Sequence, residues 1–372
     1  RRASFYLDSS KDRGLKERPK KGGIFPEEGE LEKRRLGRTG LELVGIGFGG
    51  IPIAKRPRRE AEGAVRRALE VGMNFFDTAR AYGSSEERIG AVLSGWQSSH
   101  PIYVATKTYQ RDRSGALADV ERSLRNLRVE RITLYQLHQV DDEDTLEKVF
   151  GPRGALVGLE EARKGGKIEW IGITGHRPDV LCRAVETGRF DTVQVPINIV
   201  DHYIFDTEET LLPLARRLDV GIIAMKPLAG GMLKDSSQAL RFVLSREVDL
   251  VIPGLGSPGE VEEAAAVGSS YRPLSSLELK RLLEEVKELG NEFCRQCGYC
   301  LPCPANIDIP LIFRLEGYYD RYQAEEWARH QYRALSVRAG GCDGCGQCEA
   351  RCPYRLPIRE KLKRAEKKLL HG

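Results

Sequence analysis

Eight short apolar runs recur between residues 44 and 254, and a polar turn followed by an amphipathic stretch separates each from the next. The runs are VGIGFGG (44–50), NFFDTA (74–79), IYVATK (102–107), ITLYQLH (132–138), IEWIGIT (168–174), DTVQVPI (191–197), VGIIAMK (220–226) and DLVIPG (249–254). Stretches such as REAEGAVRRALEVG (59–72), GALADVERSLRNL (115–127) and TLLPLARRLD (210–219) carry the helical period between them. Parallel strands covered on both faces read as apolar runs, and eight strand–helix units close on themselves as a (β/α)8 TIM barrel. An open doubly wound sheet would want a G-x-G-x-x-G turn after its first strand, which GFGGIP matches poorly.

In a parallel barrel the reacting groups stand at the C-terminal ends of the strands and in the loops that follow. The second run leads into DTARAYG, offering Asp77 and, five residues on, Tyr82; the third ends at Lys107 and the fourth at His138. An acid, a phenol, an ammonium and an imidazole at neighbouring mouth positions suit proton transfer to a carbonyl oxygen. A free phenol ionises near pH 10. A Lys107 ammonium about 4 Å away, at an effective dielectric near 20, would contribute roughly 4 kcal/mol and draw the Tyr82 phenol down toward neutrality. Asp77 would hold Lys107 charged and oriented, and His138 would donate a hydrogen bond to the substrate carbonyl. Taken singly, Asp77 and Lys107 read as a structural ion pair and His138 as a satisfied core imidazole; their order along consecutive strands favours chemistry.

Beyond the last run the composition changes. Eight of the nine cysteines form two runs, Cys294, Cys297, Cys300, Cys303 and Cys342, Cys345, Cys348, Cys352, each ending in Cys-Pro. Three thiolates at spacings of three can wrap one iron–sulfur cubane, and a fourth from further away completes its shell. This is the bacterial-ferredoxin arrangement for two 4Fe–4S clusters, in which the last Cys of each run serves the other cluster. Cys294, Cys297 and Cys300 thus pair with Cys352, and Cys342, Cys345 and Cys348 pair with Cys303. Zinc is the rival, but zinc ribbons use two C-x-x-C pairs, not two runs of four with terminal prolines. A disulfide scaffold does not suit so long a chain with thiols so localised. Between the runs lie 38 residues that read as helical, so the cluster domain is expected to be mainly α-helical. Tyr318, Tyr322 and Trp327 there read as core, and Cys182, in DVLCRAVE, as an inert buried thiol.

The barrel segment resembles the aldo-keto reductases. The resemblance rests on KRRLGRTGLELVGIGFGG, on DTA-x-x-YG-x-SE, and on the ATK and QLH strand ends, and covers roughly residues 33 to 270. The tail is similar to that of the subgroup carrying a C-terminal 4Fe–4S ferredoxin domain. The resemblance implies that Asp77, Tyr82, Lys107 and His138 are the catalytic four and that a nicotinamide dinucleotide lies across the mouth. Gln194 matches the residue that usually bonds the carboxamide. The usual Ser-Asn pair after strand five is here Thr174-Gly175. Lys226, Leu228 and Gly230 belong to the loop after strand seven, where glycines let backbone amides approach a pyrophosphate. Gly254, Ser257 and Glu263 fall at matching positions after strand eight, where a helix opening at about Pro258 suits phosphate. Gly254, Gly256, Ser257 and Glu260 supply no cation for a 2′-phosphate, which favours NADH over NADPH.

These readings divide the chain into a polar N-terminal arm (1–32), the barrel (33–290) and a 4Fe–4S dicluster ferredoxin-like domain (291–372). A net charge of +5, spread over interspersed Lys, Arg, Asp and Glu, points to neither a nucleic-acid nor a membrane surface. No apolar run is long enough to cross a bilayer. RRASFYLDSS lacks the apolar stretch of an export signal, although a start without Met leaves trimming open, and a cytoplasmic setting is expected. Clusters pass single electrons and nicotinamide a hydride, so a flavin could stand between them. One reading has electrons reach the mouth through the tail from a separate ferredoxin or other donor, to reduce a small carbonyl compound or be returned from an alcohol. The alternatives are a plain NAD(P)H carbonyl reductase with structural clusters, and a redox sensor on a non-catalytic barrel.

Overall fold

The computed structural model describes residues 33–289 except 99 and 204, and residues 293, 294, 298–321, 325–352 and 354–371. The N-terminal arm (1–32), Cys297 and Tyr322 lie outside the described residues, as do the side chains of Tyr318 and Trp327. Two compact units emerge, one reaching Ala229 and resuming at Leu233–Leu282, the other formed by Gly230–Met232 and Leu283–Gly372.

In the first unit, β1 (Lys33–Arg35) and β2 (Glu42–Val44) form an antiparallel hairpin. Eight parallel strands follow in chain order: β3 (Phe48–Gly49), β4 (Phe75–Asp77), β5 (Tyr103–Thr108), β6 (Ile132–Leu137), β7 (Ile168–Thr174), β8 (Thr192–Pro196), β9 (Gly221–Met225) and β10 (Leu250–Ile252). Parallel bridges Ile46↔Val251 and Gly49↔Gly254 bring the first strand against the last, giving a nearly closed barrel. Gly49 is required there, because a Cβ would stand 2.4 Å from Pro253 O. The run at 44–50 is therefore divided between the hairpin and a two-residue barrel strand.

The hairpin brings Leu36 and Leu43 into a buried cluster with Phe75, Ala105, Leu134, Ile223 and Leu250. Each fully buried side chain of Leu or Phe size contributes about 1.5–3 kcal/mol, so this layer is a principal source of barrel stability. Side chains along a strand alternate, so two residues beyond Phe75, Ala105 and Leu134 the same side presents Asp77, Lys107 and Gln136. Helices α1 (Arg58–Glu70), α2 (Ser85–Leu93), α3 (Arg113–Leu127), α4 (Glu143–Phe150), α5 (Ala155–Lys164), α6 (Pro178–Glu186), α7 (Leu211–Arg217), α8 (Ser236–Leu244) and α9 (Pro258–Ser269) fill the connections. Several start at an Asp whose carboxylate accepts an otherwise unpaired N–H, as Asp112 does from Gly115 (2.9 Å) and Asp142 from Thr145 (2.7 Å).

Helix α10 (Ser276–Leu289) runs from the first unit into the second. The second unit contains α11 (Ile309–Arg321), α12 (Glu325–Arg333), α13 (Gln347–Ala350) and α14 (Ile358–His371), and no strand among its described residues. Ile312, Phe313, Ala328, Tyr332, Leu362, Ala365 and Leu369 form its core, and six of the cysteines pack on or within it. The tail is thus mainly α-helical. No helix among the described residues is long and apolar enough to cross a membrane.

Candidate active site and cluster-binding segment

Neighbouring strand ends bring the four titratable residues together. Lys107, wholly buried, donates to Asp77 Oδ2 at 2.6 Å and to Thr78 O at 2.8 Å. Asp77 Oδ1 faces Gln136 Nε2 at 3.4 Å. The loop carrying Tyr82 is tied down by Tyr82 N–H to Ala79 O (3.0 Å), by Arg80 N–H to Lys107 O (3.1 Å), and by an Arg80–Glu86 ion pair. Glu86 is itself buried and accepts from Thr106 (2.8 Å), Ser123 (2.7 Å) and Asn126 (3.0 Å), so the charge that holds the loop is fully bonded. This places Lys107 Nζ 5.0 Å from the centre of the half-buried Tyr82 ring, with the His138 ring edge-on to Tyr82 at 5.6 Å. On its other side His138 is stacked by Tyr109 at 4.2 Å.

The electrostatics correct one expectation. Tyr82 is not drawn down toward neutrality: burial, with the Asp77 carboxylate second, pushes its phenol above the ordinary range. Asp77, at 2.6 Å from Lys107 Nζ, opposes the field that the ammonium would otherwise exert on the ring. Burial raises the Asp77 carboxyl and lowers the Lys107 ammonium, while their mutual attraction opposes both. Burial, then the Lys107 charge, holds His138 well below the usual imidazole range, so its ring is neutral at pH 7. A protonated phenol and a neutral imidazole therefore stand edge to face, and the imidazole Nδ1 is buried without a hydrogen-bond partner among the described residues.

Gln194 is buried; its Oε1 accepts from Gln136 at 3.1 Å, and among the described residues its own N–H finds only Met225 Sδ at 3.6 Å, a weak acceptor that a carboxamide oxygen would improve upon. Thr174 Oγ1 accepts from the Gln139 N–H at 3.0 Å. Gly175 approaches so closely that a Cβ would lie 2.7 Å from Asp141 Oδ1, which explains why no Asn follows Thr174. Lys226 and Gly230 both take left-handed backbone, with half-buried Leu228 between them. Gly254 lies against Pro52. Ser257 caps α9, and the chain bonds part of this terminus itself: Glu260 accepts the Gly256 N–H at 2.6 Å and donates its own N–H to Ser257 Oγ at 3.3 Å. Glu263 is bonded to the Ser236 hydroxyl.

Gln136 was not anticipated from the sequence. It sits opposite Lys107 on the neighbouring strand and links Asp77 to Gln194, and its place two residues before His138 on the same face was the available signal. Arg56 was missed too, since it reaches Glu260 at 3.5 Å from a distant part of the sequence.

In the tail, Cys294, Cys300 and Cys352 line one small cavity, whose remaining wall is largely Ile309, Phe313, Leu356 and Ile358. Two thiols of the first run and the last thiol of the second thus line one largely apolar space, three of the four donors that a 4Fe–4S cluster takes, the fourth candidate, Cys297, lying outside the described residues. Arg351, beside Cys352, donates to the carbonyls of Cys300 (3.1 Å) and Pro302 (2.9 Å) and so ties the two runs together. Cys342 and Cys303 pack on the same core, Cys348 is buried within it and Cys345 is exposed. Cys182 is half-buried rather than buried, with burial raising its thiol.

The Aldo/keto reductase family model matches residues 44–239, just over half of the chain. The chain belongs to the aldo/keto reductase family. A second match, to the 4Fe-4S dicluster domain, spans residues 293–357 of this aldo/keto reductase and supports iron–sulfur clusters in its tail. It is similar to L-galactose dehydrogenase of Arabidopsis thaliana, at 27% identity over 313 residues, covering 70% of this chain and 97% of that one. It is 30% identical to an aldo-keto reductase of Glycine max over 222 residues, covering 55% of this chain and 61% of the other. Among solved structures, an aldo-keto reductase of Bacillus halodurans in its holo form matches at a TM-score of 0.58 and 23% identity, covering 69% of this chain and 96% of that one. That last likeness shows the barrel fold. Together these make this aldo/keto reductase an oxidoreductase.

Proposed function

We propose that the barrel mouth interconverts a small carbonyl compound and its alcohol, with electrons linked to two 4Fe–4S clusters in the tail. The observation that carries this reading is the convergence of Tyr82 and His138, 5.6 Å apart, over the buried Lys107–Asp77 pair. Tyr82, held protonated, donates its proton to the carbonyl oxygen. His138, held neutral, donates a hydrogen bond to that oxygen as negative charge develops on it. Lys107 and Asp77 fix the phenol's surroundings, and Lys107 takes the tyrosinate's charge once the proton has left. A nicotinamide dinucleotide, held by Gln194, Thr174 and the loops at Lys226 and Ser257, supplies the hydride when bound. The cysteine runs hold clusters that carry one electron at a time, filled by a separate ferredoxin or another donor.

The pH dependence tests the proton donor. Because Tyr82 is raised above its ordinary pKa, carbonyl reduction should hold steady through neutrality and fall only in strongly alkaline buffer. A kcat/KM profile with an alkaline limb centred near pH 7 would remove Tyr82 in this protonated form. The dinucleotide preference is tested separately. Glu260 stands at the N-terminus of α9, and Arg56 nearby is already engaged by Glu60 and Glu260, so a 2′-phosphate meets a carboxylate there. Calorimetry should show NADH binding at least about tenfold tighter than NADPH, the loss expected for one poorly matched charged contact. Equal affinities would contradict the assignment.

A further inference from the structure

Beside His138 stands a group that the chemistry above leaves unused. Arg111 lies in the loop between β5 and α3, next to Asp112, whose carboxylate caps that helix and fixes the loop. One guanidinium nitrogen, Nη2, donates to Gln139 O at 2.8 Å, the carbonyl of the residue that follows His138. Gln139 takes left-handed backbone at φ 57°, and its side-chain oxygen accepts from the Tyr109 hydroxyl at 2.6 Å. Tyr109 in turn stacks on His138 and lies 5.9 Å from the guanidinium. Arg111 is thereby pinned within one side chain's reach of the imidazole. Its other nitrogen, Nη1, is buried and has no hydrogen-bond acceptor among the described residues.

The nearest carboxylates are otherwise engaged. Asp141 accepts from the His176 N–H and faces His176 Nδ1 at 3.4 Å, while Asp142 accepts from the N–H (2.7 Å) and hydroxyl (2.8 Å) of Thr145. A buried cationic N–H without an acceptor is costly, and a ligand oxyanion would relieve it. The imidazole senses this charge as well: Arg111 is among the groups, after burial, Lys107 and His176, that keep His138 neutral.

We infer that Arg111 is an oxyanion subsite, so that the substrate of the site proposed above is a carbonyl compound bearing a carboxylate or phosphate close to the reacting carbon. This rests on the proposed function for the position of the carbonyl, but the anion site is testable without turnover. The full-length protein and its Arg111→Met and Arg111→Lys variants would be compared in kcat/KM for succinic semialdehyde, glyceraldehyde 3-phosphate and neutral butyraldehyde. In the wild type one charged aldehyde should be preferred over the neutral one, and which of the two is preferred identifies the oxyanion. In Arg111→Met the ratio of charged to neutral kcat/KM should fall about 10–100-fold, the span expected for one charge-assisted hydrogen bond, with Arg111→Lys in between. A merely structural Arg111 would lower all three rates together and leave the ratio in place, which would overturn the inference. Calorimetry with succinate and with inorganic phosphate provides the second readout. Binding of either by wild type and its loss in Arg111→Met supports the subsite even if no aldehyde is turned over, in which case the catalytic reading alone has failed. Absence of binding by the wild type, or unchanged binding in Arg111→Met, overturns it.

Discussion

Replacing Lys107 with Met is expected to lower kcat/KM for aldehydes by about 10³-fold while iron, sulfide and cluster absorbance remain at wild-type levels. The size of the effect follows from position. Lys107 is wholly buried, bonded to Asp77 at 2.6 Å and 5.0 Å from the Tyr82 ring, so Met leaves nothing to take up the charge of the ionised phenol. The substitution also strands the Asp77 carboxylate in the core, and removing one partner of a buried pair costs about 3–5 kcal/mol. Asp77 would respond by taking a proton. A double variant, Lys107→Met with Asp77→Leu, separates the two effects: it should recover much of the thermal stability and none of the activity. Turnover within tenfold of wild type in a folded Lys107→Met protein would show that the catalytic assignment is wrong.

The second large effect concerns the cysteine runs. Cys352→Ser is expected to lose the cluster of the first run, although Cys352 belongs by sequence to the second. The cavity lined by Cys294, Cys300 and Cys352 is the reason, since two thiols from one run and the last of the other already face one space. Iron content should fall to about half, and the electron paramagnetic resonance spectrum of the reduced variant should match that of Cys300→Ser. Cys303→Ser should match Cys345→Ser in the same way. If Cys352→Ser instead resembled Cys345→Ser, each run would hold its own cluster and the crossed pairing would be refuted.

How much of this was legible in the sequence depended on which force was being read. The barrel strands were legible because burial on both faces leaves uninterrupted apolar runs; IEWIGIT became β7 without a change of boundary. The run at 44–50 was less clear, because the same composition serves a hairpin and a barrel strand and only the closure against β10 separates them. The four titratable residues could be named because strand ends are fixed points of the fold. Their protonation could not, since Tyr82 answers to burial and to how completely Asp77 neutralises Lys107, and both are properties of distances. The same holds at α9. A Ser-x-x-Glu beginning suits a phosphate site and a helix that caps itself alike, and that Glu260 makes the capping contacts is visible only in the structure. Gln136 and Arg111 were passed over for a related reason. An amide inside a strand and an arginine in a polar loop are ordinary in sequence, and become informative only through what stands beside them.

The link between the two chemistries is tested most directly by reducing the clusters anaerobically, removing the reductant, and adding a carbonyl substrate with a trace of NAD+, which two cluster electrons and a proton would convert to the hydride donor. The wild-type clusters should be reoxidised as alcohol appears, and those of Lys107→Met should stay reduced. Wild-type clusters that remain reduced, in a protein that still converts the same carbonyl with NADH, would contradict the account and leave a barrel whose tail is only a brace.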